Sequence, residues 1–112
     1  AMFGAYHHID NVCCIIDYNK IQLDGFVKDI LDLEPLGDKW RAFGWHVIQI
    51  DGHDIPAVQK AYAEAAATKG KPTVVIADTI KGKGVSFMEN NPKYHGVAPT
   101  PDELTRALQE LA

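Results

Sequence analysis

Residues 11–17 read N-V-C-C-I-I-D and place five apolar residues in succession. A short apolar run of this kind is typical of a strand buried on both faces, as in parallel sheets that helices cover. A turn is predicted after it at Asp24-Gly25. Further strands are predicted at residues 45–50 and at residues 73–80, which read T-V-V-I-A-D-T-I. The strands therefore indicate a parallel sheet.

Helical patterns separate these strands. Leu36, Trp40 and Phe43 recur at i, i+4 and i+7, which predicts a helix over residues 36–43 with one apolar face. An alanine-rich stretch at residues 55–69 predicts the next helix, with Ile55, Val58 and Tyr62 on one face. Because helices and strands alternate, the fold class is α/β, with three layers of helix, parallel sheet and helix.

The two ends of the chain carry further helical signals. The helix that begins at Ala1 has no polar cap, so we expect further residues upstream. A long loop, residues 81–99, follows the last predicted strand. T-P-D-E, residues 100–103, is a capping box that begins the last helix. The apolar stripe of that helix consists of Leu104, Leu108 and Leu111.

Composition and charge exclude several classes of function. The chain of 112 residues has a net charge of -4, which argues against a broad nucleic-acid-binding surface. No apolar run is long enough to span a membrane, and no secretory signal is present, so we expect a cytoplasmic protein. Cys13 and Cys14 are adjacent, which makes a disulfide between them improbable and predicts small buried residues in a reducing compartment.

Candidate site residues follow the predicted strands, where ligands bind in an open parallel sheet. The amide of Asn19 and the backbone carbonyl of Ile21 offer the oxygen ligands that a magnesium ion prefers. K-G-K-G, residues 81–84, offers glycines that let the backbone approach a phosphate closely and lysine as a point charge for it. His95, later in the same loop, can transfer protons near neutral pH. Taken singly, each also has a structural explanation, as a turn, a solvated loop or an exposed histidine.

Other polar residues are assigned structural roles. D-G-H-D, residues 51–54, reads as a turn in which Asp54 caps the next helix. His7 and His8 end the first helix, where a partly positive side chain suits the helix dipole. His46 is predicted to pack inside a strand.

Four segments occur in an order that is more specific than any of them alone. They read I-D-N-V-C-C-I-I-D-Y-N-K-I-Q-L-D-G, L-G-D-K-W-R-A-F-G-W-H-V-I-Q-I-D-G-H-D, K-G-K-P-T-V-V-I-A-D-T-I-K-G-K-G and Y-H-G-V-A-P. Over essentially all 112 residues the chain resembles the N-terminal, thiamine-diphosphate-binding part of transketolases. It looks most like the N-terminal subunit of transketolases that are split into two polypeptides.

The resemblance implies a function and a site. Such enzymes transfer a two-carbon ketol group between sugar phosphates, as in the pentose phosphate pathway. By this resemblance Asn19 and Ile21 bind Mg²⁺ (or Ca²⁺), and Asn19, Lys81 and His95 bind thiamine diphosphate. His95 also steadies the sugar and is the candidate catalytic residue. The implied partner is the C-terminal, pyrimidine-binding subunit or domain, in a dimer or another homo- or hetero-oligomer.

One departure from the family pattern is large. The family's metal-binding G-D-G motif does not occur in this sequence. Residues 1–112 are therefore expected to be the C-terminal portion of the diphosphate-binding domain, inactive in isolation. Two alternatives stay open: another thiamine-diphosphate enzyme, such as a deoxyxylulose-phosphate synthase or a 2-oxo acid dehydrogenase component, and a non-catalytic assembly remnant. The Y-H-G triplet, residues 94–96, favours transketolase.

Overall fold

The computed structural model describes residues 1–23 and 25–112, which form two compact units. The first unit comprises residues 1–18 and 33–78, and the second comprises residues 19–32 and 79–112. The strands are β1 (Cys13–Tyr18), β2 (Ile21–Gln22), β3 (Gly25–Phe26), β4 (His46–Asp51) and β5 (Thr73–Asp78). The helices are α1 (Met2–Tyr6), α2 (Val27–Ile30), α3 (Leu36–Ala42), α4 (Ile55–Ala67), a 3₁₀ helix (Pro92–His95) and α5 (Pro101–Glu110). None of the helices in these described ranges has the length and apolar character needed to cross a membrane.

The first unit contains a parallel sheet, as the sequence predicts. Its strand order is β1-β5-β4, and both pairings are parallel. Tyr18 of β1 and Asp51 of β4 are both register partners of Asp78 in β5. The last residues of the three strands therefore lie side by side at the carboxyl end of the sheet.

Helices cover both faces of this sheet. On one face, α4 contributes to a buried cluster that consists of Ile48, Ala61, Ala65 and Val75. On the other face, buried Tyr18, Val74 and Ile76 pack against side chains that include Leu36 and Trp40 of α3. Because adjacent strand residues point to opposite faces, Val74 and Val75 belong to different clusters. The three-layer α/β architecture is confirmed.

The burial of β1 differs from the prediction. Exposed and more buried residues alternate along this strand, and Ile15 is 53% exposed. Cys13 is exposed and Cys14 is half-buried, so the prediction of two buried cysteines is wrong. The reason is position, because β1 is an edge strand of this sheet and lacks the cover on both faces that central β5 has.

Some predicted helix faces are also less buried than expected. Phe43 follows the last residue of α3 and is 43% exposed, so it does not join the core. In α4 the buried residues are Ala61 and Ala65, whereas Ile55 and Tyr62 are exposed. The three leucines predicted to form the apolar stripe of the last helix are likewise exposed, at 49% for Leu104 and 60% for both Leu108 and Leu111, which follows the end of α5.

The second unit begins with a small hairpin. β2 and β3 are antiparallel, and α2 follows them directly. These elements are too short to show a hydrophobic period, so the sequence does not predict them. Of the turn predicted at Asp24-Gly25, Asp24 lies outside the described residues and Gly25 begins β3.

The capping box of α5 is confirmed in full. The Thr100 hydroxyl accepts a hydrogen bond from Glu103 N at 3.3 Å. The Glu103 carboxylate accepts a hydrogen bond from Thr100 N at 2.8 Å. Two donors that the helix would otherwise leave unpaired are thus satisfied.

Candidate functional site

Two candidate site residues, Asn19 and Lys81, follow the ends of adjacent strands of the parallel sheet. β1 ends at Tyr18 and β5 ends at Asp78, and these two residues are register partners. Asn19 is the next residue after β1, and Lys81 is the third residue after β5. The two strands, β1 and β5, are parallel neighbours, as predicted. The segments that follow them both start at the carboxyl ends of the strands, where α/β sheets bind ligands.

Asn19 forms a tight turn with the residues that follow it. Its Oδ1 accepts a hydrogen bond from Ile21 N at 2.9 Å. Lys20, between them, has a positive φ of 65°. Asparagine favours such turns because its side chain can bond to the backbone two residues on. An amide oxygen carries two lone pairs and can accept a hydrogen bond while it coordinates a cation.

The carbonyl of Ile21 points away from the hairpin partner. Val27 N donates to Lys20 O at 2.9 Å, so Lys20 and Val27 form a hydrogen-bonded pair. Bonded and non-bonded pairs alternate in an antiparallel ladder, so Ile21 and its partner Phe26 form a non-bonded pair. In a non-bonded pair the N–H also points away from the partner strand, and the Ile21 N–H does so, because it donates to Asn19 Oδ1. The Ile21 carbonyl is therefore directed away from β3.

The segment after β5 folds back on itself at Lys81. Asn90 N donates to the Lys81 carbonyl at 3.0 Å. Gly82 has a φ of 73°, and a Cβ there would lie 2.6 Å from the Met88 carbonyl oxygen. Glycine is thus required by both conformation and space. Lys81 is half-buried and has no ion pair within the part of the chain that the structure describes.

The second half of the K-G-K-G segment is already occupied by a carboxylate. Glu89 Oε1 accepts a hydrogen bond from Gly84 N at 3.0 Å and lies 3.8 Å from Lys83 Nζ. A backbone N–H and an ammonium are the groups that would otherwise receive a phosphate. Of the two lysines, only Lys83 has a carboxylate beside it among the described residues.

His95 is the last residue of the 3₁₀ helix and is exposed. Its neighbours are anchored to Glu103, whose Oε1 accepts a hydrogen bond from the Tyr94 hydroxyl at 2.9 Å and lies 3.3 Å from Lys93 Nζ. The bond from Thr100 N, followed by that from Tyr94, lowers the pKa of Glu103 to about 2. Glu103 is thus a carboxylate at neutral pH.

Sequence reasoning missed the roles of Glu89 and Glu103. The sequence identifies Glu103 as part of a capping box. Its second hydrogen bond, from the Tyr94 hydroxyl, depends on the path of the loop and is not predicted. Glu89 lies five residues after Gly84, without a helical or strand period that would indicate the contact. No local signal in the sequence reveals either contact.

The residues predicted to be structural have structural contacts. Asp54 caps α4 by accepting a hydrogen bond from Ala57 N at 3.4 Å. His46 Nε2 lies 2.8 Å from Glu64 Oε1, and His8 Nδ1 lies 2.8 Å from the Gly70 carbonyl. Within residues 1–23 and 25–112, no group of three or more His, Cys, Asp and Glu side chains is arranged to hold a metal.

The donor set at the strand ends fits a magnesium diphosphate. Neutral oxygens of Asn19 and Ile21 suit a hard cation that shares its remaining positions with phosphate and water. The ammonium of Lys81 and the compact glycine turn beside it suit a diphosphate. The two segments therefore match the two charges of such a ligand.

Comparisons with known proteins identify the family of this chain. Residues 2–112 match the family model described as transketolase, thiamine diphosphate binding domain. The chain is 44% identical over 99% of its length to a 6-deoxy-6-sulfo-D-fructose transketolase subunit of Clostridium sp. (strain MSTE9). It is 47% identical, again over 99% of its length, to an apulose-4-phosphate transketolase subunit of Actinobacillus succinogenes. In both cases it spans 40% of the relative's length.

Solved structures show the same relationship. The transketolase of Campylobacter jejuni superposes with a TM-score of 0.90 at 29% identity, over 97% of this chain and 17% of that one. The transketolase of Leishmania mexicana gives a TM-score of 0.87 at 30% identity, over 95% of this chain and 16% of that one. The chain belongs to the family of transketolase thiamine-diphosphate-binding domains.

Proposed function

We propose that this chain is part of a transketolase that transfers a two-carbon ketol group from a ketose phosphate to an aldose phosphate. The observation that carries the proposal is the placement of Asn19 and Lys81 shortly after register partners of two parallel strands. Support comes from the general rule that ligands of open parallel sheets bind where the strands end, which is where both segments begin. Thiamine diphosphate, when bound, supplies the carbanion chemistry of the transfer.

The contribution of this chain is to bind and orient. Asn19 Oδ1 and the Ile21 carbonyl, which lie in one turn, would coordinate Mg²⁺, or Ca²⁺ in its place. Asn19 and Lys81 thereby hold the diphosphate, the first through the metal and the second by direct contact. His95 contacts diphosphate and sugar and moves a proton to or from the sugar as the candidate catalytic residue.

The rest of the site comes from elsewhere in the enzyme. Residues 1–112 form the C-terminal portion of the diphosphate-binding domain, and the G-D-G motif upstream adds the anionic metal ligand. The pyrimidine-binding subunit or domain completes the site in a dimer or another homo- or hetero-oligomer. The relatives named for a sulfofructose and for apulose 4-phosphate extend the candidate substrates from pentose-phosphate sugars to other anionic sugars. The cytoplasmic location belongs to the same proposal.

Assay of the complete protein with its partner subunit tests this function. We expect ketol transfer to ribose 5-phosphate that requires both thiamine diphosphate and Mg²⁺, and no turnover by residues 1–112 alone. Pyruvate replaces the ketose donor in a parallel assay, because a deoxyxylulose-phosphate synthase or a 2-oxo acid dehydrogenase component would consume it. Turnover of pyruvate without ketol transfer would contradict the transketolase assignment, and a complex that never binds the cofactor would indicate a non-catalytic module.

A further inference from the structure

The position of the His95 ring depends on its neighbours in the chain. Within the described residues the ring forms no hydrogen bond, ion pair or ring contact of its own. It is exposed and ends a single 3₁₀ turn, Pro92–His95. A single turn has little intrinsic stability, because nucleating a helix fixes several dihedral angles for one hydrogen bond. Contacts outside the ring must therefore hold His95 in place.

Asn91 holds the start of this turn. Its Oδ1 accepts a hydrogen bond from Lys93 N at 3.1 Å, and its Nδ2 donates to the Phe87 carbonyl at 3.1 Å. Tyr94 packs on Phe87 with ring centroids 6.0 Å apart in an edge-on arrangement. One side of the turn is thus anchored to the segment that leads back to Lys81.

Glu103 holds the other side of the turn. One carboxylate oxygen accepts from the Tyr94 hydroxyl at 2.9 Å, and the other accepts from Thr100 N at 2.8 Å. The same side chain therefore closes the cap of α5 and fixes the residue next to His95. α5 is a ten-residue helix with a complete capping box, so it is a firm anchor.

We propose that Tyr94 and Glu103 are positioning residues that hold His95 toward the sugar, through the bond between the Tyr94 hydroxyl and the Glu103 carboxylate. This inference rests on the proposed function, which places His95 on the substrate. Neither residue touches the reacting atoms. The carboxylate stays ionised at neutral pH, so the bond to the hydroxyl is charge-assisted and stronger than a neutral one.

The test compares Tyr94→Phe with Thr100→Ala in the complete enzyme. Tyr94→Phe removes one hydroxyl and leaves the ring on Phe87 and the capping box intact. Thr100→Ala is the matched control. It removes the hydrogen bond from Glu103 N to the Thr100 hydroxyl and leaves the bond between the Tyr94 hydroxyl and the Glu103 carboxylate. Hydrogen exchange by mass spectrometry, and kcat and KM with ribose 5-phosphate as acceptor, are measured for both.

The two variants are expected to differ in both measurements. Tyr94→Phe should raise exchange in residues 91–97 and the sugar KM about three- to tenfold, as loss of one hydrogen bond predicts. The Mg²⁺ concentration for half-maximal activity should not move. Thr100→Ala should raise exchange only in the first turn of α5 and change KM less than about twofold, since the Tyr94 bond remains.

Three outcomes would overturn the proposal. Unchanged exchange in residues 91–97 of Tyr94→Phe would show that the hydroxyl does not hold the turn. Equal rises in KM for both variants would show that Glu103 acts only as a helix cap and that its bond to Tyr94 does not position His95. If exchange rises but His95→Ala leaves kcat and KM unchanged, the proposed role of His95 fails, and the positioning role fails with it.

Discussion

The two segments that leave β1 and β5 start from neighbouring positions and present opposite chemistry. After β1, the turn of Asn19 and Ile21 presents oxygen atoms. After β5, the turn of Lys81 and Gly82 presents an ammonium beside a glycine that no larger residue can replace. A parallel sheet lets both segments start from adjacent strand ends, although Asn19 and Lys81 lie far apart in the sequence. Under the proposed function, each segment would serve one charge of a metal diphosphate.

Loss of the oxygen donor should have the largest effect. We expect Asn19→Ala to weaken Mg²⁺ binding by the complete protein about 10- to 100-fold, as loss of a metal-site partner does. The measurement is the Mg²⁺ concentration for half-maximal binding of thiamine diphosphate, followed by calorimetry.

The control at this position is Asn19→Asp. Its carboxylate can accept the Ile21 N–H as the amide does, and it adds an anionic ligand, so Mg²⁺ binding should be retained or strengthened. An alanine variant that binds Mg²⁺ as well as the wild type does would leave Asn19 as a turn residue only.

In the segment after β5, substitution of Lys81 should weaken cofactor binding more than substitution of Lys83 does. Lys81→Met should weaken thiamine diphosphate binding about tenfold, since a bond to a charged group is removed. Lys83→Met is the matched control and should change the Kd less than about twofold, because Lys83 Nζ already lies 3.8 Å from Glu89 Oε1 in an exposed ion pair. Equal losses in the two variants, by calorimetry at saturating Mg²⁺, would mean that the loop attracts the diphosphate only by its net charge.

The smallest effect concerns pH at the far end of the same loop. The pKa of Glu103 is lowered from 4.5 to about 2, chiefly by the hydrogen bond from Thr100 N. The folded state therefore binds fewer protons than the unfolded state in this range, so the contribution of Glu103 to stability is present above pH 4.5 and is lost toward pH 2.

Urea unfolding of wild type and Glu103→Gln from pH 7 downward measures this contribution. The wild type should have the higher midpoint at pH 7, and the difference should shrink as the pH falls below about 4.5. Asp102→Asn, the same charge change one residue earlier, is the control and should show a smaller difference. A difference between wild type and Glu103→Gln that stays constant down to the lowest pH would contradict the cause given for the lowered pKa.

The sequence predicts the sheet well and its burial less well. The apolar runs of β1 and β5 look alike, yet Val75 is 1% exposed and Ile15 is 53% exposed. A run of apolar residues predicts a strand, but only the strand order determines whether helices and neighbouring strands cover it. The same limit explains Cys13, which lies on the edge strand.

The candidate site divides in the same way. Asn19 and Lys81 could be predicted, because they follow apolar runs and ligands bind where parallel strands end. The contacts of Glu89 and Glu103 could not, because they depend on how an irregular loop returns to itself. Charged partners in such loops lie at no fixed sequence spacing.

A crystal structure of the complete protein with thiamine diphosphate and Ca²⁺ tests the central claim most directly. We expect the anomalous signal of the ion about 2.3 to 2.6 Å from Asn19 Oδ1 and from the Ile21 carbonyl oxygen. Lys81 Nζ should lie within hydrogen-bond distance of the same diphosphate. An ion bound away from the Asn19 turn, or a diphosphate beyond the reach of Lys81, would contradict the account.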